Sequence, residues 1–512
     1  MLQDYSGDII ATRKSSIGQY AYVISKNNQI SVFGDRAAAY DIYYYIGDDN
    51  MYFVANNLYD MVSVIRERVT LHEMNLIEYA STFNIFCGGT IFKEIRRLEG
   101  EQYLVVKDGK VSLFTIANLN MFPLIDDKST DEVAKQLAAQ LSHKAKVIAT
   151  VLGTPILSMT GGLDSRILLA SYLNAGVKPI LLQGRSNTYL SSPMVEDKIV
   201  LDWIAKRYSL PSRVVEWDTR EPERCWSKYL KKYGFLYRHW GGSEPIYQTY
   251  ENLETSNCSF GFGGELYRNT FPEPSSKAPY SIDDMLEAYS SKIYNTNQKS
   301  YLISPYKEHI KQKLLNIVLK YKFNPQSITK NEVFYFAYEF SKFGDTLPIN
   351  LLNLMSYVPQ LLYEADCLEL ARIQYEEKDA GRLMLKTMEL LVPDIIDIPI
   401  FSHCQMWQVD KNSMMLVQPD SARDVYRSKF ELLLKQLYQH AKRTLRPLRN
   451  VYRAIENHRR PLRNNNYELP KELSQQKSFI PYKIDFVDPR PAMYYKMLAN
   501  ALEKLGFPYT ME

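Results

Sequence analysis

The feature that most constrains this chain is the stretch ILSMTGGLDSRILLASYL, residues 156–173. An apolar run from Pro155 to Met159 ends on two glycines, an aspartate follows, and apolar residues at helical spacing begin at Ser165. The run reads as a short buried strand, and Ser165 to Tyr172 as a helix packed on a sheet. Gly161 and Gly162 let the backbone pass where a side chain would collide, and they permit positive φ. A strand, a glycine turn and a helix N-terminus aim backbone N–H groups and the positive helix end at one point, which suits an anion such as phosphate. The same residues also suit a tight strand-to-helix turn without a ligand. Neither a Walker loop nor GxGxxG is present in this stretch.

The surroundings alternate in the same way. PILSM is followed by the helix from 165, KPILLQG by the helix VEDKIVLDWIAKRY, and SRVVEW by further helical sequence. Such βαβ alternation predicts a parallel sheet covered on both faces, with ligands at the carboxyl ends of its strands. Upstream, Ser129-Thr-Asp-Glu132 has capping-box spacing and opens a helix with Val133, Leu137, Leu141 and Ile148 on one side. A polar connector, Pro123 to Ser129, precedes it. Residues 19–114 read differently, as short β segments, the last two joined by the hairpin signal Asp108-Gly109. The first third is therefore expected to be a layered, mostly antiparallel sheet. The fold class is α/β plus α+β, mainly helical beyond residue 330.

A length of 512 residues allows two or three domains, and 46% apolar with 23% charged residues is ordinary for a soluble globular protein. No apolar run reaches membrane-spanning length, and the N-terminus lacks the apolar core of a signal peptide. The five cysteines (Cys87, Cys225, Cys258, Cys367, Cys404) are scattered and form no CxxC, which predicts reduced thiols and a cytoplasmic location. The histidines form no cluster of the HxxxH kind, so no transition-metal site is expected. A net charge of +4 is too small to imply nucleic acid. The basic tract 442–463, with Arg443, Arg446, Arg449 and Arg453 at helical spacing, suits a solvated surface and equally a face for anionic lipid or RNA.

TGGLDSR resembles the SGGxDS pyrophosphate loop of the N-type ATP pyrophosphatases, with Thr160 in the serine position. CSFGFGGELYRN (258–269) resembles a second segment of the same proteins, GxGxDELFGG, with one residue missing. Asp35-Arg36 with Tyr43-Tyr44, then Thr90, Phe92, Ile95, Leu98 and Gly100, resemble the class II glutamine amidotransferase domain of asparagine synthetases. In order and extent, most of the chain resembles the asparagine synthetase-like amidotransferases.

That resemblance implies an Ntn-hydrolase-like, degenerate glutaminase domain over 1–120 and an ATP pyrophosphatase/synthetase domain over 129–512. It implies ATP and Mg2+ as cofactors. Leu157, Thr160, Gly161, Gly162, Ser165, Gly261, Gly263 and Gly264 would bind ATP, Asp164 and Asp197 the metal, and Asp164 and Glu265 would be catalytic. Asp197 lies eight residues before Ala205, as the family's second metal ligand does, although a solvated first-turn carboxylate favoured by the helix dipole reads the same. The implied reaction is AMP-forming amide synthesis. Its substrate would be a small-molecule or sugar carboxylate, such as a uronic acid of a bacterial surface polysaccharide. Ammonia or an amine would be the nitrogen donor; a homodimer is admissible and nucleic acid is not expected.

Two departures bear on activity. The family's glutaminase uses an N-terminal cysteine thiol with its own α-amine as base, whereas this chain opens Met1-Leu2-Gln3 and its first cysteine is Cys87. No hydrolysis of glutamine is therefore expected. The family also places a phosphate-steadying lysine eight residues after a proline, and from Pro393 that count reaches Phe401. Lys342, Lys386 and Lys411 remain as substitutes. Three rival readings stand beside the uronamide synthetase: a peptide macrolactam synthetase of the lasso-peptide cyclase type, a tRNA-modifying pyrophosphatase, and a non-catalytic scaffold. The thiolating tRNA enzymes need paired cysteines, which are absent.

Overall fold

The computed structural model describes residues 9–49, 51–82, 85, 87–186, 192–217, 257–269, 274, 276–293, 304–344, 356–402 and 405–417. The basic tract, Cys225 and Cys404 lie outside them.

Two-residue turns build the first sheet. Strands β1 (Ala21–Lys26) and β2 (Gln29–Gly34) are joined by Asn27 and Asn28, at φ 51° and 58°. After β3 (Tyr43–Ile46), β4 (Tyr52–Ala55) and β5 (Ile95–Arg97), strands β6 (Gln102–Lys107) and β7 (Lys110–Thr115) are joined by Asp108 and Gly109, at φ 50° and 73°. Positive φ at both central residues gives the twist that matches paired strands. The expected hairpin is present, and the strands form two antiparallel sheets, ordered β1-β2-β6-β7 and β4-β3-β5.

Three helices in this part, α1 (Ile9–Ser15), α2 (Leu58–Ile65) and α3 (Glu73–Thr82), were not expected from the β pattern. The α2 signal is nonetheless in the sequence. The Asn57 side chain accepts the Tyr59 amide at 2.9 Å, and Leu58, Met61, Val62 and Ile65 form one buried face.

Helix α4 (Thr130–Leu152) starts with the capping box read from the sequence. The Ser129 amide donates to the Glu132 carboxylate at 2.9 Å, and the Ser129 hydroxyl accepts the Glu132 amide at 3.3 Å. Val133, Leu137, Leu141 and Ile148 are all buried. Ser129→Ala is expected to cost about 1 kcal/mol, read as a lower urea midpoint with unchanged slope.

The second part is a parallel sheet with crossover helices. In chain order come β8 (Ile156–Ser158), α5 (Leu163–Asn174), β9 (Ile180–Ser186), α6 (Ser192–Tyr208), β10 (Ser212–Trp217) and β11 (Cys258–Ser259). The sheet order is β10-β9-β8-β11, every pair parallel. Helices α7 (Ile282–Ile293), α8 (Ser304–Tyr321), α9 (Val333–Gly344), α10 (Ala365–Leu370) and α11 (Arg382–Leu391) follow, with α11 packed on α4 and α5. Beyond residue 330 the described chain is mainly helical, as expected, with one addition. An antiparallel sheet of β12 (Ile400–Ser402), β13 (Gln405–Asp410) and β14 (Met415–Val417) closes the described chain. Its outer strands are three residues long, too short for a period to show.

The largest core runs from Leu137 through Leu157, Ile167 and Leu181 to Leu385 and Met388. Tyrosines fill part of it with their rings, and some of their hydroxyls find partners. Tyr172 pairs with the Ser259 hydroxyl at 2.7 Å, and Tyr267 donates to the Leu362 carbonyl at 2.8 Å. Among the described residues no helix is long and apolar enough to cross a membrane.

Candidate functional site

The strand order locates a crevice. The chain passes from β8 to β9 to β10 in one direction, and β11 joins on the other side of β8. The order therefore reverses between β8 and β11, and open parallel sheets bind ligands outside the carboxyl ends of strands at such a point. Both segments that leave these strands are glycine loops, 160–162 after β8 and 261–264 after β11.

In the first loop the two glycines have different reasons. A Cβ at Gly161 would come within 2.8 Å of the Phe401 Cβ and 3.0 Å of Asp197 Oδ1, so β12 and the Asp197 carboxylate exclude a side chain. A Cβ at Gly162 would meet nothing nearer than 3.5 Å. The Gly161 amide donates to Asp197 Oδ1 at 2.6 Å, and the Gly161 carbonyl accepts the Phe401 amide at 3.0 Å. Gly162 is the N-cap residue of α5 and supplies no side-chain cap. Thr160 and Ser165 face each other, hydroxyl to hydroxyl, at 3.1 Å, with the Thr160 amide also donating to Ser165 Oγ at 3.1 Å.

The second loop packs on the first. A Cβ at Gly261 would lie 2.7 Å from the Asp164 Cβ and from the Ser165 nitrogen, and one at Gly264 would overlap the Asp164 carboxylate. Gly263 is left-handed, at φ 87°, with the Tyr363 ring 2.9 Å from where a Cβ would stand. Gly161, Gly261 and Gly264 are thus required by protein contacts alone, whereas a Cβ at Gly162 would make only ordinary van der Waals contacts.

Asp164 lies in the first turn of α5 between the two loops. Its Oδ2 accepts from the Arg268 guanidinium, and its Oδ1 is buried with no hydrogen-bond partner among the described residues. Burial pushes its pKa up to about 6, with Glu265 adding to the rise and Arg268 opposing it. Glu265 accepts a hydrogen bond from the Ser341 hydroxyl. Leu157 sits in β8, paired with Leu181 and Ser259, with its side chain in the core.

The structure thus brings Thr160, Gly161, Gly162, Asp164, Ser165, Asp197, Gly261, Gly264 and Glu265 to one crevice. It does not bring the substitute lysines. Lys342 is fully buried beside Glu99 and Glu339, at 3.3 Å and 3.6 Å. Lys386 pairs with Asp131, and Lys411 with Asp397 at 2.6 Å. Phe401 does reach the loop, but it offers only its backbone amide and an apolar ring.

Two arginines were missed by sequence reasoning. Arg166, the residue after TGGLDS, is fully buried beneath the loop. Its guanidinium donates to the carbonyls of Gly161 at 3.3 Å, Pro399 at 2.8 Å and Ile398, tying the loop to the approach of β12. Burial lowers its pKa to about 10. Arg268, four residues after Gly264, is the cation that meets Asp164. Arg166 closes TGGLDSR and Arg268 lies within CSFGFGGELYRN, so position in those segments could have marked either, although neither segment shows that Arg268 meets Asp164.

In the described first part, Cys87 takes a left-handed conformation at φ 56°, and burial pushes its thiol pKa far up, the opposite of an activated nucleophile.

No family model matches the chain, and no curated protein matches it. Among solved structures, the NMN synthetase from Francisella tularensis aligns over 44% of this chain and 94% of its own length, at 11% identity and a TM-score of 0.21. A likeness that slight bears on neither the fold nor the chemistry, and it establishes membership of no family.

Proposed function

We propose that the chain binds ATP with magnesium in the crevice between β8 and β11 and uses it for AMP-forming synthesis of an amide from a carboxylate. The observation that carries this reading is the convergence, where the strand order reverses, of two glycine loops on the uncapped start of α5, with Asp164 between them. One amide of that loop already holds an anionic oxygen, that of Asp197.

Phosphate oxygens would take the amides of Gly161 and Gly162 and the hydroxyls of Thr160 and Ser165. Asp197 would then leave the Gly161 amide and turn to the cation. Asp164 fits the same cation, because its buried Oδ1 has no hydrogen bond to lose. Magnesium, when bound, would neutralise charge on the departing pyrophosphate. Gly261, Gly263 and Gly264 would form the wall beside the α-phosphate, with Glu265 as the neighbouring acid. Arg268 would supply the cation that the family's lysine supplies elsewhere, once released from Asp164.

In the reaction, a substrate carboxylate oxygen attacks the α-phosphorus and the bond to pyrophosphate breaks. An amine then attacks the acyl-adenylate, loses a proton, and AMP departs. The substrate we propose is a sugar uronic acid, and the division of the chain that goes with it is a degenerate glutaminase-like part before residue 120 and a synthetase part from 129.

A second reading, nucleotide binding without turnover, is favoured by Phe401 in the lysine's place and by the Arg268 pair that engages Asp164. ATP–pyrophosphate exchange with candidate acids separates the two: exchange supports the synthetase, and binding without exchange supports the scaffold. Gly162→Val probes the binding step common to both. Because a Cβ at Gly162 would make only ordinary van der Waals contacts and its φ is −79°, the variant should melt close to the wild type while losing detectable ATP binding by calorimetry. Unchanged affinity would remove the loop from phosphate binding.

A further inference from the structure

We infer that the chain has a second ligand site, for a small organic anion, in a cavity enclosed by α3, the segment 87–96 and α8. The cavity holds about 270 Å3 and shares no residue with the crevice between β8 and β11. Its chemistry is set by His72, Asn75, Lys93, Arg96, His309 and Lys313.

The charge balance favours an anion. The carboxylates nearest this lining are already engaged: Glu78, fully buried, by Lys313 and by His309 Nε2 at 3.2 Å, and Glu99, beside Gly88, by Lys320 at 2.5 Å and Lys342 at 3.3 Å. Lys93 and Arg96 are exposed and make no ion pair among the described residues. Cations that line a concave, partly enclosed surface without a counter-charge focus potential into it.

A second observation narrows the ligand. The Asn75 side chain is 5% exposed, and its amide donates to the Thr90 carbonyl at 2.7 Å, yet its Oδ1 is buried with no hydrogen-bond partner. His72 Nδ1 accepts from the Asn75 backbone N–H at 3.4 Å, which leaves Nε2 for another partner. An orphaned buried acceptor calls for a donor. The ligand class is therefore a small molecule with an acidic group for Lys93 and Arg96 and a hydroxyl or amine for Asn75. The volume lies just below the roughly 300 Å3 at which pockets for drug-sized ligands begin, so the occupant is metabolite-sized. Cys87 borders the cavity, but its raised pKa gives it no covalent part.

The test is calorimetry on the full chain, without magnesium or ATP, using citrate as a hydroxy-carboxylate probe and glucose 6-phosphate as a hydroxy-phosphate probe. At least one should bind saturably at one site, and which one binds assigns the acidic group. Lys93→Glu with Arg96→Glu should weaken that binding at least about tenfold, with the melting temperature unchanged because both side chains are exposed. The neutral pair Lys93→Gln with Arg96→Gln should fall between, and Gly162→Val should bind the probe normally. Absence of saturable binding of either probe, or equal affinity in the charge-reversed variant, would overturn the site.

Discussion

Asp164→Asn is expected to weaken magnesium-dependent ATP binding at least about tenfold, some 1.4 kcal/mol, while leaving the fold intact. The substitution keeps the shape that packs against Gly261 and Gly264 and keeps an acceptor for Arg268. What it removes is the negative charge that would hold the cation. The effect should change sign with the metal. Without magnesium, the carboxylate stands close to the proposed phosphate position and repels it, so the asparagine variant should bind metal-free ATP no worse than the wild type, and better at low salt. Calorimetry with and without a chelator reads both arms. Equal affinity of variant and wild type in magnesium would remove Asp164 from the metal role, and with it most of the case for the crevice as a nucleotide site.

Lys342→Met should be the most destabilising change, at about 3–5 kcal/mol, because it breaks a buried charge network from one side. Lys342 and Lys320 lie among Glu99, Glu101 and Glu339, with Lys320 2.9 Å from Glu339. Burial opposes ionisation of Glu99 and Glu339, but the two lysines outweigh it and hold both pKa values below the usual range. Glu101 goes the other way, raised by burial and by Glu99. Glu99 and Glu339 therefore contribute stability above the unfolded carboxylate pKa, and that contribution is lost as pH falls through their folded values. Without Lys342 much of it is already gone, so the gap between variant and wild type should narrow as pH falls. Urea unfolding at several pH values measures this. Loss of ATP binding at unchanged stability would instead place Lys342 at the phosphates, contrary to the structure.

Much of the architecture was legible in the sequence because it rests on local chemistry. Asp108-Gly109 favours positive φ with little regard to what surrounds it, and the Ser129–Glu132 cap needs only four residues. The β/α alternation from 155 to 217 predicts a parallel sheet because neither its period nor its turns depend on distant partners. The motif residues around 160 and 261 were likewise readable as glycine loops following strands.

What the sequence could not decide was who meets whom. Gly161 must be glycine because Phe401, 240 positions away, and Asp197 press on it; Gly261 and Gly264 must be glycine because Asp164 lies against them. Nothing in the spacing of TGGLDSR and FGGELYR shows that Arg268 closes on Asp164, or that Lys342 turns into a buried network rather than toward phosphate. Those pairings depend on the strand order β10-β9-β8-β11 and on how helices far apart in the chain pack over it. By itself, the sequence determined which segments could become strands, turns and capped helices. The tertiary structure alone decided which charges are matched, which acceptors stay orphaned and which glycine has room for a Cβ, because these depend on distances between residues that no local pattern encodes.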